Sequence, residues 1–266
     1  MKRKITFFLL ISVVINVSGH EFWIQPDKFI YKRTEPINIK FLVGGNFNGD
    51  NWTGNQDKVN SLQLYFGNVS DKDLCNNLGK DSGDSLQLAL IDEGTVMMTL
   101  NTKNSLIDLE AEKFNEYLKE EGLTEAIEYR QKSGDTIKNG HENYQRSVKT
   151  IFQVGKRFTN VCKQKTDLPL DIIPVEHPYT IVKDEKFKVK VFFMGEKLKN
   201  TKIKVWHKLD NKVTQRDYMT DNEGEIKFFL STEGEWMVSC IKMIRLRDDP
   251  QAEWQSYWGS LTWGYY

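Results

Sequence analysis

The chain has 266 residues, 39% of them apolar, 28% charged and 12% aromatic, a composition that excludes a disordered, collagenous or coiled-coil protein. Lys+Arg and Asp+Glu each total 37, so no basic excess points to nucleic acid or to an anionic membrane surface. The bases Lys2, Arg3 and Lys4 stand in an opening segment without a single acid, which leaves the remainder slightly acidic.

Residues 2–19 have the three parts of a secretory signal: the basic start, an apolar stretch from Ile5 to Val14, and compact residues at Val17-Ser18-Gly19. They predict a soluble, exported protein, periplasmic or extracellular, with a retained anchor as the alternative. No later segment approaches the roughly 20 apolar residues of a membrane helix, so no span is expected once the signal is removed. Cys75, Cys162 and Cys240 are odd in number and lack a CxxC spacing. They allow either three free thiols or one bridge.

After the signal, residues 20–26, 28–32 and 37–43 show the alternation and β-branched content of strands. Gly44-Gly45 and Asn48-Gly49-Asp50 read as turns that end this stretch. Ser61 to Phe66, Ser85 to Ile91 and Thr95 to Asn101 are further strands. Leu106, Leu109, Phe114, Tyr117 and Leu118 recur at helical spacing, with Gly122 placed to terminate the helix. Thr124 can cap a second short helix that Ser133-Gly134-Asp135 breaks.

Tyr144, Val148, Ile151 and Phe152 then lie roughly on one helical face, predicting that His141 to Val154 is a helix running into a strand. In such a helix Glu142 and Arg146 would pair four residues apart and orient two domains. Asp167-Leu168-Pro169 reads as a junction. Beyond it, Phe187 to Met194, Thr201 to Lys208, Glu225 to Leu230 and Glu235 to Met243 are strands separated by turns, the texture of a β-sandwich.

The expected fold is therefore mainly β. It comprises a β-rich domain over 20–168 with a helical insertion near 106–154, then a sandwich over 169–266. This second half resembles immunoglobulin-like, carboxypeptidase-regulatory-like and transthyretin-like sandwiches.

Cleavage after Gly19 would make His20 the first residue, offering its free amine and its imidazole to one metal ion, an arrangement suited to copper and nickel. His177, before Pro178, and His141, beside Glu142, are the candidate partner ligands, and a structural role is the other reading of each. His207 reads as a structural residue. No HExxH pair, GxSxG elbow, P-loop or dinucleotide fingerprint occurs, so no catalytic or cofactor-binding residue is assigned and no enzyme is expected. The aromatic ending, which includes Trp254, Trp258 and Trp263, fits either a carbohydrate-stacking platform or core packing.

Several stretches together resemble an exported bacterial family of unknown function linked to nickel and cobalt uptake, described as NikK-like. The matching pieces are His20-Glu-Phe-Trp-Ile-Gln-Pro26, Val43-Gly-Gly-Asn-Phe47, Phe114-Asn-Glu-Tyr-Leu118 with Glu121-Gly-Leu123, and Glu142-Asn-Tyr-Gln-Arg146 running to Gln153-Val-Gly155. Later pieces are Asp171-Ile-Ile-Pro-Val175 with His177-Pro-Tyr179, Trp236, and Trp254-Gln-Ser-Tyr-Trp258. The resemblance implies a β-rich envelope protein associated with metal transport and a membrane component of the uptake system as partner. This sequence departs from the pattern at Lys242, where relatives tend to carry histidine and where a protonated lysine is a poor ligand.

Two functions are therefore expected as alternatives. One is an envelope protein that binds or relays nickel, cobalt or copper. The other is a surface adhesion or polysaccharide-binding protein without metal.

Overall fold

The structure is a computed structural model that describes residues 21–266 except 68, 82, 183 and 184. The signal-like segment and His20 lie outside the described residues. The first half contains β1 (Glu21–Pro26), β2 (Ile30–Tyr31), β3 (Pro36–Gly45), β4 (Asn48–Asn51), β5 (Val59–Phe66), β6 (Val69–Asp73), β7 (Ser85–Ala89), β8 (Gly94–Thr102) and β9 (Ser105–Leu109). Helices α1 (Ala111–Glu120) and α2 (Thr124–Ser133) follow, then the long β10 (Gly140–Val154). The second half contains β11 (Leu170–Pro174), β12 (Lys186–Phe193), β13 (Glu196–Lys197), β14 (Lys202–Leu209), β15 (Lys212–Met219), β16 (Glu225–Phe229), β17 (Glu235–Arg245) and β18 (Trp254–Gly264).

The protein is mainly β, built as two sandwiches that share one sheet. That central sheet runs β15-β14-β17-β18-β10-β8-β5-β6, with β2 and β9 also paired to β10. The seam between its halves is a parallel ladder in which Glu142 to Thr150 of β10 face Trp254 to Thr262 of β18. The sheet of β1, β3, β4 and β7 covers one half, and that of β11, β12, β13 and β16 covers the other. Because the central sheet crosses residue 168, no boundary there separates two sets of strands.

Apolar alternation explains the layers. Ile37, Ile39 and Phe41 of β3 point inward together and meet Leu62, Leu64, Val96, Met98 and Leu100 in the first core. Phe187, Val189 and Val191 of β12 do the same toward Val205, Val238, Leu261 and Trp263 in the second. β10 serves both cores: Val148, Phe152 and Val154 face the first, while Ile151 faces the second. A strand covered on both faces needs a continuous buried run rather than alternation, which is what Ser147 to Val154 supplies.

This corrects the helix expected at His141 to Val154. Tyr144, Val148 and Phe152 are spaced by four, which satisfies the period of a strand face as well as that of a helix. The expected Glu142–Arg146 helical pair therefore does not exist. The helical insertion is confined to α1 and α2, since Leu106 and Leu109 belong to β9, which pairs with β10. Phe114, Tyr117 and Leu118 of α1 pack on Ile241, Met243 and Trp254 at the ends of β17 and β18. Gly122 and Gly134 both take positive φ at the ends of these helices.

Gly44 and Gly49 also depart from the expectation of turns. The hairpin turns at Asn46 and Phe47, both with positive φ, whereas Gly44 and Gly49 are cross-strand partners in the ladder. A Cβ on Gly44 would lie 2.1 Å from the Asn48 carbonyl oxygen, so the glycine permits the close pairing. The Phe47 side chain is buried edge-on against Trp23, with ring centroids 5.5 Å apart, which holds its unusual backbone in place.

Candidate functional site

The amino-terminal edge of β1 enters a cluster of buried charges. Glu21 lies beside Glu121, which follows α1, and Lys204 of β14 sits between them. The Lys204 ammonium donates to Glu121 Oε1 at 2.7 Å and to Glu21 Oε1 at 3.4 Å. Burial raises the pKa of both acids, and it carries Glu121 to about 7 against the attraction of Lys204. Burial alone would lower the Lys204 pKa, but the two carboxylates outweigh it and hold it above the ordinary lysine value. One cation between two desolvated acids is most easily satisfied with one acid ionised and the other protonated.

Glu21, Glu121 and Trp258 line a cavity of about 10 Å³ with Cys240 in its wall. That is room for about one water molecule. Burial pushes the Cys240 thiol up to about 12, so it is not a thiolate at neutral pH.

A third buried acid lies next to this cluster. Glu142 Oε1 accepts hydrogen bonds from Ser256 Oγ and, at 3.3 Å, from Tyr117 OH. Ser256 Oγ in turn accepts from Trp258 Nε1 at 2.9 Å, and the Tyr117 and Trp258 rings stack nearly parallel. Burial raises Glu142 to about 7, although these hydrogen bonds work in the opposite direction. Its other oxygen is buried without a hydrogen-bond partner.

The predicted histidine ligands are dispersed. His177 is buried: Nε2 lies 2.9 Å from Thr95 Oγ1 and 3.1 Å from the Thr159 carbonyl, while Nδ1 accepts from the Tyr179 N–H at 3.2 Å. Acceptance at Nδ1 assigns the proton to Nε2, and burial lowers the pKa, so the ring is neutral and both nitrogens are engaged. His141 stands at the start of β10 with Nδ1 3.4 Å from Asp108 Oδ2. Thr95, the partner of His177, pairs with Gln153 at the other end of that strand. Twelve residues of strand separate the two ends by about 40 Å, so His141 and His177 cannot share an ion.

His207 stacks on Trp236 at 4.1 Å, in line with a structural role. Lys242 pairs with Glu125 at 2.7 Å. Among the described residues, no group of three or more His, Cys, Asp and Glu side chains is gathered to hold a metal ion. Cys75, Cys162 and Cys240 are all free thiols.

The aromatic ending is packed inside. Trp254 is 3% exposed, Trp263 is 0% exposed, and Trp258 lies partly buried against Tyr117, so the three do not form a solvent-facing platform. Sequence reasoning missed the buried charges Glu21, Glu121 and Lys204, and it paired Glu142 with Arg146 where the structure gives it Ser256 and Tyr117. Its only signal for the acids was that they fall in stretches carrying the family resemblance.

A family model described as a domain of unknown function, DUF4198, matches residues 17–243. No curated protein matches the chain in sequence. Among solved structures, a DUF4785 family protein from Legionella pneumophila is 12% identical at a TM-score of 0.24, covering 88% of this chain and 54% of that one. A bacterial ice-binding adhesin is 10% identical at 0.22, covering 92% and 63%. Salmonella alpha-2-macroglobulin is 10% identical at 0.21, covering 92% and 15%. The chain thus spans about half the length of the Legionella protein, and likenesses this distant carry no functional argument. No described helix is long and apolar enough to cross a membrane.

Proposed function

The chain belongs to the DUF4198 family, and from that premise we propose that it is an exported envelope protein that captures a nickel, cobalt or copper ion at its amino-terminal edge for a membrane component of metal uptake. The observation that carries this reading is the burial of Glu21 beside Glu121 at the start of β1. The peptide bond to Glu21 keeps the His20 Cα about 3.8 Å from the Glu21 Cα. With cleavage after Gly19, the amine and imidazole of His20 supply two nitrogens, and Glu121 or Glu21 supplies a carboxylate oxygen, a donor set suited to these ions.

Lys204 competes for the same carboxylates, and burial raises the pKa of both acids. Metal binding therefore releases protons and strengthens as the pH rises through about 7. His141 and His177 have no part in the site. The reading assigns no catalysis.

Mass spectrometry of the exported chain tests the premise, with His20 expected as its first residue. Calorimetric titration with nickel, cobalt and copper should then show one site, abolished by His20→Ala and weakened at least about tenfold by Glu121→Gln. His141→Ala and His177→Ala should leave it unchanged. A different first residue, or binding that survives His20→Ala, would sink the reading.

A further inference from the structure

On the face of β10 that carries Glu142 and Val148, the covering elements change. Strand β1 covers the end near Val148, and α1 covers Glu142. Between them the β3–β4 hairpin and β10 enclose an open cleft of about 540 Å³, within the usual range for small-molecule sites. Gly44, Gly45 and Gly49 lie in its wall beside the side chains of Asn48, Asn51 and Trp52.

Arg146 forms the floor of this cleft. Its guanidinium carbon lies 4.8 Å from the Phe22 ring centroid and 5.2 Å from that of Tyr144, an aromatic clamp that fixes the plane of the group. Its Nε is buried without a hydrogen-bond partner. None of its guanidinium N–H groups bonds to a described residue, although the backbone N–H donates to Thr102 Oγ1 at 3.0 Å, and no described carboxylate forms an ion pair with the guanidinium. Arg146 is partly buried, and a cation with its Nε desolvated and unpaired is costly, which is why such arginines are ordinarily paired. The planar fork instead presents parallel N–H groups to whatever enters the cleft.

The remaining lining decides the class of ligand. Among the described residues that line the cleft, Arg146 is the one cation and exposed Asp50 the one acid. A multiply charged phosphate or sulfate would meet one positive charge and one repulsive carboxylate. A ligand with one carboxylate and one ammonium satisfies both. We propose that the cleft binds a small zwitterion of the amino-acid or short-peptide class, with its carboxylate on Arg146 and its ammonium toward Asp50. The site is independent of the metal reading.

Calorimetry on the full exported chain, treated with chelator so that metal plays no part, tests this with L-alanine, L-phenylalanine and diglycine. Lactate, inorganic phosphate and sulfate are the comparison ligands. Saturable binding of at least one zwitterion is expected, weaker by at least about tenfold in Arg146→Lys, which keeps the charge but loses the fork. Asp50→Asn lies on the exposed hairpin and does not touch the core; it should weaken zwitterions several-fold and leave lactate unchanged. The proposal is overturned if no zwitterion binds, if phosphate or sulfate binds more tightly than every zwitterion, or if both variants, shown folded by their melting, bind as the parent does.

Discussion

Glu142 is the residue whose chemistry is most plainly set by its surroundings. Burial raises its pKa from 4.5 in the unfolded chain to about 7, so between those values the folded protein holds a proton that the unfolded chain has released. The stabilisation from this group is fully present below pH 4.5 and is lost as the pH rises through about 7. A shift of that size corresponds to a loss on the order of 3 kcal/mol. Glu142→Gln keeps an acceptor for Ser256 and Tyr117 and removes the titration. Denaturant melts at pH 4.5 and 8 should find the variant near parent stability at the lower pH and clearly more stable at the higher one; an unchanged difference between the two would show that Glu142 ionises freely. None of this was legible in the sequence, where Glu142 is one of 37 acids and its partners Tyr117 and Ser256 lie 25 and 114 positions away. Lys149 and Asp171 were hidden for the same reason: the pair is buried between β10 and β11, with Asp171 also accepting from the Thr166 N–H at 2.8 Å.

At the scale of elements, patterns stood out where one face is solvated and misled where both are covered. Strands β3, β12 and β16 alternate between buried and exposed or partly buried positions over much of their length, and the sequence located them to within a residue or two. Strand β10 is buried on both faces over its second half, so its period was ambiguous between helix and strand. The helical pair was legible through Phe114, Tyr117 and Leu118, but its first residues were misplaced because Leu106 and Leu109 continue a helical spacing while pairing as a strand. Helix α1 rests on the start of β10 at Gly140, where an added Cβ would lie 2.3 Å from the Phe114 ring. Gly140→Ala should therefore push the helix outward and cost about 1–3 kcal/mol. Chemical denaturation checks this, and a neutral result would mean that α1 is not seated on the strand.

At the scale of the whole molecule, the shared sheet joins what the sequence suggested were two domains. Strand β18, near the carboxyl end, is hydrogen-bonded to β10 over nine consecutive pairs from Glu142 with Trp254 to Thr150 with Thr262. Ile151 of β10 and Met97 of β8 complete the core of the second sandwich. A fragment of residues 169–266 would expose one edge of β18 and lose those side chains, and a fragment ending at 168 would expose the matching edge of β10. Expressed separately, neither should melt cooperatively, whereas the exported chain should unfold in one transition by calorimetry and by tryptophan fluorescence. Independent folding of both fragments would contradict a single cooperative unit.

The sequence by itself determined the mainly β character, the helical pair within the first half, the sandwich texture of the second half and membership of a family of unknown function. These follow from interactions within about ten residues: side-chain periodicity, turn chemistry and helix stops. The tertiary structure alone decided that β10 and β18 pair in parallel, that His141 and His177 stand at opposite ends of one strand, and that Trp254 and Trp263 are core. It also gathered Glu21, Glu121 and Lys204, and left Arg146 unpaired in a cleft. Each of these depends on contacts between distant positions, and on the loss of water around particular charges, which a local pattern does not encode.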